Sequence, residues 1–98
     1  MSLYRGGLVW GEGFLKRLFV SYPFAKLIIE EEFITFYAMR SEFRLARNEI
    51  LGIIIQNRFL AKGLIFKHES KQLPPTIVFL TFHCEEVISQ LKDIPLWK

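Results

Sequence analysis

Apolar and polar positions alternate through most of this chain, and the spacing turns helical only near its end. Residues 76–91, TIVFLTFHCEEVISQL, hold both signals: a β-branched and aromatic run that reads as a buried strand, then Cys84, Val87, Ile88 and Leu91 on one helical stripe. Strand after strand precedes it, so a helix over residues 83–92 is expected to cover the open apolar end of a curled sheet. Upstream, residues 25–30 and 33–38 are two β-prone runs that meet at Glu30, Glu31 and Glu32, a solvated hairpin turn. Residues 42–47 alternate cleanly, with Phe43 and Leu45 facing one way and Glu42, Arg44 and Ala46 the other. Asn48-Glu49-Ile50 interrupts the alternation, which resumes over residues 51–59 with Gly52 as a bulge or close approach. Residues 61–63 then turn the chain into a strand at 64–67. A polar loop over 68–75 follows, and its Pro74-Pro75 pair cannot sit in a central strand.

The first 22 residues resist this reading. Gly6, Gly7, Gly11 and Gly13 break the apolar run at residues 8–10, and glycines so dense favour turns over element interiors. Residues 14–22 are either a first strand, the preferred reading, or a short helical turn that Pro23 ends. The tail Leu96-Trp97-Lys98 is expected to fray unless Trp97 docks. The pattern therefore predicts six or seven short strands and one closing helix, and 98 residues suffice for a single domain with one core.

Composition narrows the class. Half of the residues are apolar and ten are Phe, which excludes disorder. The formal charge of +3 is spread along the chain and attracts anionic surfaces only weakly. The lone Cys84 cannot form an internal disulfide, and the N-terminus lacks the pattern of a secretory signal, so a cytoplasmic location is expected. The most apolar window, residues 18–29, is interrupted by Pro23 and Lys26 and falls short of the roughly 20 residues that span a bilayer.

The order of these pieces carries a resemblance. The meander, the FRLARNEI segment with its Phe43-x-Leu45-x-x-x-Glu49-Ile50 spacing, and the KGLIFKH strand with Gly63-Leu64-x-Phe66-x-His68 come first. The proline-ended loop, the last apolar strand and a helix opening on Glu85-Glu86-Val87 follow. Over residues 23–91 the chain resembles a bacterial pleckstrin-homology-like domain of the GRAM-like sort. The resemblance implies a mainly β fold: a barrel of two bent, near-orthogonal antiparallel sheets, six to seven strands in all, with one C-terminal helix plugging an end. Proteins of this kind bind phosphoinositides, peptides or other proteins, and fold alone does not fix which. Members that bind phosphoinositides strongly place basic residues on the first two strands and the loop between them.

Here the basic residues nearest that position are Lys16, Arg17 and Lys26, a candidate lipid-facing set beside Phe14, Phe19 or Trp10. Each is worth ~1 kcal/mol at an anionic surface, and readable lipid clusters hold roughly four to eight, so the attraction would be weak and salt-sensitive. Arg40, Arg44, Arg47 and Arg58, with Phe59 or Tyr37, would suit nucleic acid only if aromatics shared their face. Phe43 shares a face with Leu45, away from Arg44, which disfavours nucleic acid. His68, His83 and Cys84 offer neither the number nor the spacing of a zinc site, so neither metal nor cofactor is expected. Glu30 to Glu32 and Ser21, Ser41, Ser70 and Ser89 lack a catalytic context, and an enzyme is not expected.

Ile53, Ile54 and Ile55 are apolar on both faces of their strand, which marks them for self-association. The expected function is a non-catalytic interaction module that binds protein, itself included, as a homo-oligomer assembled through sheet edges or the N-terminal apolar segment. The alternative from another class is weak binding to anionic lipid or phosphoinositide membrane surfaces.

Overall fold

The computed structural model describes residues 2–11, 17–57, 62–94 and 96–97. Its strands are β1 (Ser2–Gly11), β2 (Arg17–Ile29), β3 (Phe33–Ala38), β4 (Ser41–Ala46), β5 (Ile50–Asn57), β6 (Lys62–His68), β7 (Thr76–Thr81) and β8 (Leu96–Trp97), with one helix, α1 (Cys84–Gln90). The strand order is β4-β3-β2-β1-β7-β6-β5-β8. Seven antiparallel strands make a curled half-barrel, and the two-residue β8 joins its far edge in parallel with β5. The fold is mainly β with one C-terminal helix.

The N-terminal segment departs most from expectation. Gly13 lies outside the described residues, but Gly6 and Gly7 do not form turns: β1 is a ten-residue strand in the middle of the sheet, paired with β2 on one side and, over its second half, with β7 on the other. They are needed because backbones come close there. A Cβ at Gly6 would run into the carbonyl oxygen of Leu80 and lie 2.8 Å from the Phe79 ring, and one at Gly7 would lie 2.9 Å from the Val20 carbonyl oxygen. The partner strand absorbs the bend. Gly6 opposes Ala25 and Leu8 opposes Val20, so residues 21–24 of β2 face the single Gly7 as a bulge. Pro23, expected to end an element, sits inside β2, in this bulge, where no ladder bond to β1 is required of it. The peptide bond before it is cis.

Inward-facing residues of every long strand fill the core, with Phe36, Phe66 and Phe79 the largest fully buried side chains. Phe36 and Phe66 meet edge to face at 5.0 Å. The helix is shorter than the expected 83–92, but its stripe is as read. Cys84, Val87 and Leu91 are buried, Ile88 packs half-buried against the core, and Ile94 closes the corner. Glu85 and Glu86 occupy the first turn, where the helix dipole favours them. Lys92 falls beyond the last turn, and His83 at the N-cap makes no side-chain cap bond. The tail does not simply fray: Leu96 and Trp97 pair with Ile53 and Ile54. Lys62 and Gly63, read as a turn, already belong to β6, and Arg47 leaves β4 for a 3-10 turn, Arg47–Glu49.

Arg47 ties three elements together. Its Nε donates to the Glu30 carbonyl at 2.9 Å, its Nη1 reaches Asp93 at 2.6 Å, and its Nη2 donates to the Gln90 carbonyl at 3.3 Å. The β2–β3 turn and the segment after α1 are thereby fixed to the end of β4.

The crowding at the β1 corner sets a quantitative expectation. Gly6→Ala should cost at least ~3 kcal/mol in urea unfolding, because the methyl group meets backbone that cannot move without breaking the β1–β7 ladder. A loss below ~1 kcal/mol would contradict the close approach.

Candidate interaction surface

Cross-strand register orders the outer face of β1 to β4 into rows. Leu3, Ile28, Thr35 and Arg44 form one, and Arg5, Lys26, Tyr37 and Glu42 the next. Thr35 is buried although it points outward, because Ile28, Arg44, Phe33 and Tyr37 surround it. The Arg44 guanidinium lies 4.0 Å over the Phe33 ring. Glu42 is the cross-strand partner of Tyr37, and its carboxylate holds the phenol above its usual titration range.

Beside these rows rises the β2 bulge. Phe19 is 60% exposed, Tyr22 49% and Phe24 65%, and Phe82, at 53%, meets Tyr22 edge to face at 5.0 Å. Leu3, Leu18 and Met39 are exposed as well. Ala25 opposes Ala38, which brings Phe24 next to Met39 at the β3–β4 turn. Met39 has φ 56°, a left-handed conformation that costs a non-glycine residue roughly 1 kcal/mol, yet it holds a large apolar side chain in solvent. Four half-exposed aromatics present on the order of 450 Å² of apolar surface. Leu18, opposite Trp10, and Phe19, opposite Val9, point to different faces of β2, so the shared surface is that of Tyr22, Phe24, Phe82, Leu3 and Met39, on the order of the roughly 300–600 Å² of a monomer's largest patch.

The residues singled out from sequence are not gathered into one site. Lys16 and Phe14 lie outside the described residues. Arg17 opposes Gly11 while Lys26 opposes Arg5, six residues further along β1, on the order of 20 Å away. Trp10, expected at an exposed rim, is buried and meets Phe43 at 5.5 Å. The three isoleucines do not form a patch either. Ile53 is fully buried in the core, which withdraws it from any partner, Ile54 is half-buried beside β8, and Ile55 is exposed at a groove next to α1. Within the N-terminal apolar segment Leu8, Val9 and Trp10 are buried in a central strand, while Leu3, Leu18, Phe19, Tyr22 and Phe24 are exposed. Of the arginine set, Arg47 is engaged as described and Arg58 and Phe59 lie outside the described residues. Phe33 and Tyr37 do share Arg44's face, contrary to the inward placement expected of the aromatics.

What sequence reasoning missed was Arg5 beside Lys26 and the Tyr22-Pro23-Phe24 ridge. The signal was present: an aromatic-proline-aromatic run that no paired central strand would hold. His68 accepts a bond at Nδ1 from the Ser70 N–H (3.1 Å) and therefore donates from Nε2 to the Pro74 carbonyl (2.9 Å), which pins the 68–75 loop. Among the described residues no three His, Cys, Asp or Glu side chains converge on a metal site, and no helix is long and apolar enough to cross a membrane. No family model, curated protein or solved structure matches the chain.

Burial pushes the Cys84 thiol above its ordinary value, with Glu85 adding to the shift and Lys62 opposing it. Its stabilising contribution is present below the unfolded thiol's pKa and is lost as pH rises through the raised folded value. Iodoacetamide at pH 8 should therefore alkylate Cys84 at least ~10-fold more slowly in the native protein than in urea. Equal rates would place the thiol at the surface.

Proposed function

We propose that the chain is a pleckstrin-homology-like, GRAM-like interaction module, non-catalytic and cytoplasmic, that binds protein and assembles with copies of itself. The strand order and the helix following the last long strand support the family reading. The exposed ridge of Tyr22, Phe24 and Met39, with Phe82 against it, carries the functional one, because apolar surface of this extent on a small domain marks a partner site. Phe24 and Met39 are held out by backbone devices, a bulge and a left-handed residue, rather than left over from core packing.

A second reading has its own observation. Arg5 and Lys26 stand next to each other beside the same aromatics, an aromatic-plus-basic surface suited to an anionic membrane. Vesicles of phosphatidylcholine with phosphatidylserine should then sediment the protein at low salt, and an absence of binding there removes this reading.

For self-association, sedimentation velocity should show mass rising with concentration through the tens of micromolar. Phe24→Ser should weaken association at least ~10-fold without lowering the melting temperature, since the ring is two-thirds in solvent. A strict monomer at high micromolar concentration would sink the proposal.

A further inference from the structure

We infer that two copies pack through the outer faces of β1 to β4 about a twofold axis, so that Arg5 and Lys26 of one copy lie over Glu31 and Glu32 of the other. This rests on the self-association reading and adds the face, the symmetry and the charge register.

The face is bipolar along its strands. Arg5 and Lys26 stand side by side at one end, with Arg40 at the adjoining β3–β4 turn, and the β2–β3 turn at the other end holds Glu30, Glu31 and Glu32. Leu3, Ile28 and Thr35 lie between them. A twofold contact requires self-complementarity, residue i meeting j while j meets i. With the axis beside Ile28, midway between Lys26 and Glu31 in β2 and its turn, each basic end meets an acidic end. A heterologous stack in the same orientation would bury like charges against each other.

Among the described residues neither member of the basic pair takes part in an ion pair. Like charges directly opposite in an antiparallel ladder are unfavourable, and the ion pair among the described residues is Arg47–Asp93, which involves neither Arg5 nor Lys26. Of the charges that run against the pattern, Glu42 lies opposite Tyr37, Arg44 lies over Phe33, Arg47 is held by Asp93, and Glu86 of α1 lines the same cleft as Arg5. Four strands about 4.8 Å apart and on the order of 20–25 Å long present roughly 400–500 Å². Phe24 and Met39, beyond the basic end, extend this toward the ~800 Å² per partner of a standard interface.

Charge reversal in two halves tests the register. Arg5→Glu with Lys26→Glu makes both ends acidic, and Glu31→Lys with Glu32→Lys makes both ends basic. All four side chains are exposed, and the hydrogen bond at Glu32 uses its backbone carbonyl, so the fold should persist, checked by unchanged melting. By sedimentation equilibrium each variant alone should dimerise at least ~10-fold more weakly than wild type, and an equimolar mixture should regain affinity to within about 3-fold as a 1:1 heterodimer. If wild type dimerises while the variants are unaffected, or the mixture fails to recover, this face is wrong and self-association stands. If wild type remains monomeric at high micromolar concentration, both fall.

Discussion

The passage of β1 against β7 at Gly6 and Gly7 is the constraint on which the rest of this molecule depends. One strand must serve both halves of the sheet, pairing with the end of β2 through its first half and with β7 and the start of β2 through its second. Any side chain at Gly6 would hold the two backbones apart. Because β1 turns sharply there, β2 travels the longer outside path and has residues 21–24 to spare. The same corner therefore closes the core on its inner side and raises the aromatic ridge on its outer side. Stability and exposed surface here share one geometric cause.

Around that corner the packing is conventional. Three buried phenylalanines and the aliphatic residues of seven strands form one core, and α1 adds Cys84, Val87 and Leu91 to it. Arg47 fixes the β2–β3 turn and the end of the helical segment to β4 through two carbonyls and Asp93. The bond to the Glu30 carbonyl is part-buried and costly to lose, whereas the contacts to Asp93 and the Gln90 carbonyl are exposed and contribute less.

Much of this was legible from alternation alone. Residues 25–29 and 41–46 follow their hydrophobic pattern because these stretches of β2 and β4 alternate buried and wetter positions, the condition under which a period of two is informative. By contrast β7, buried at Ile77, Val78 and Phe79 alike, was legible as a continuous apolar run. The helical stripe was equally plain. The pattern failed where that condition fails. Gly6 and Gly7 have no side chain to report a face, so a central strand looked like a turn. Pro23 looked like a terminator because a four-residue bulge is defined by the pairing of β2 with β1 on either side of it, which lies outside the local sequence. Ile53 and Ile55 share the inner side of β5 yet differ in exposure, since only Ile55 lies at the open groove beside α1, a tertiary fact that local sequence does not encode. The candidate surface was half visible: Lys26 was noted, but its neighbour Arg5 is distant in sequence and adjacent only through register.

The resulting picture is of a small β scaffold whose inner face is committed to folding and whose outer face, over β1 to β4 and the ridge beside them, is committed to contact. Backbone amides report that division directly. In a ¹⁵N NMR dilution series, the account predicts concentration-dependent shifts and broadening on β1 to β4 and the β2 bulge, with β5, β6 and α1 unmoved. Shifts confined to β5, β6 or α1, or none across the series, would contradict it.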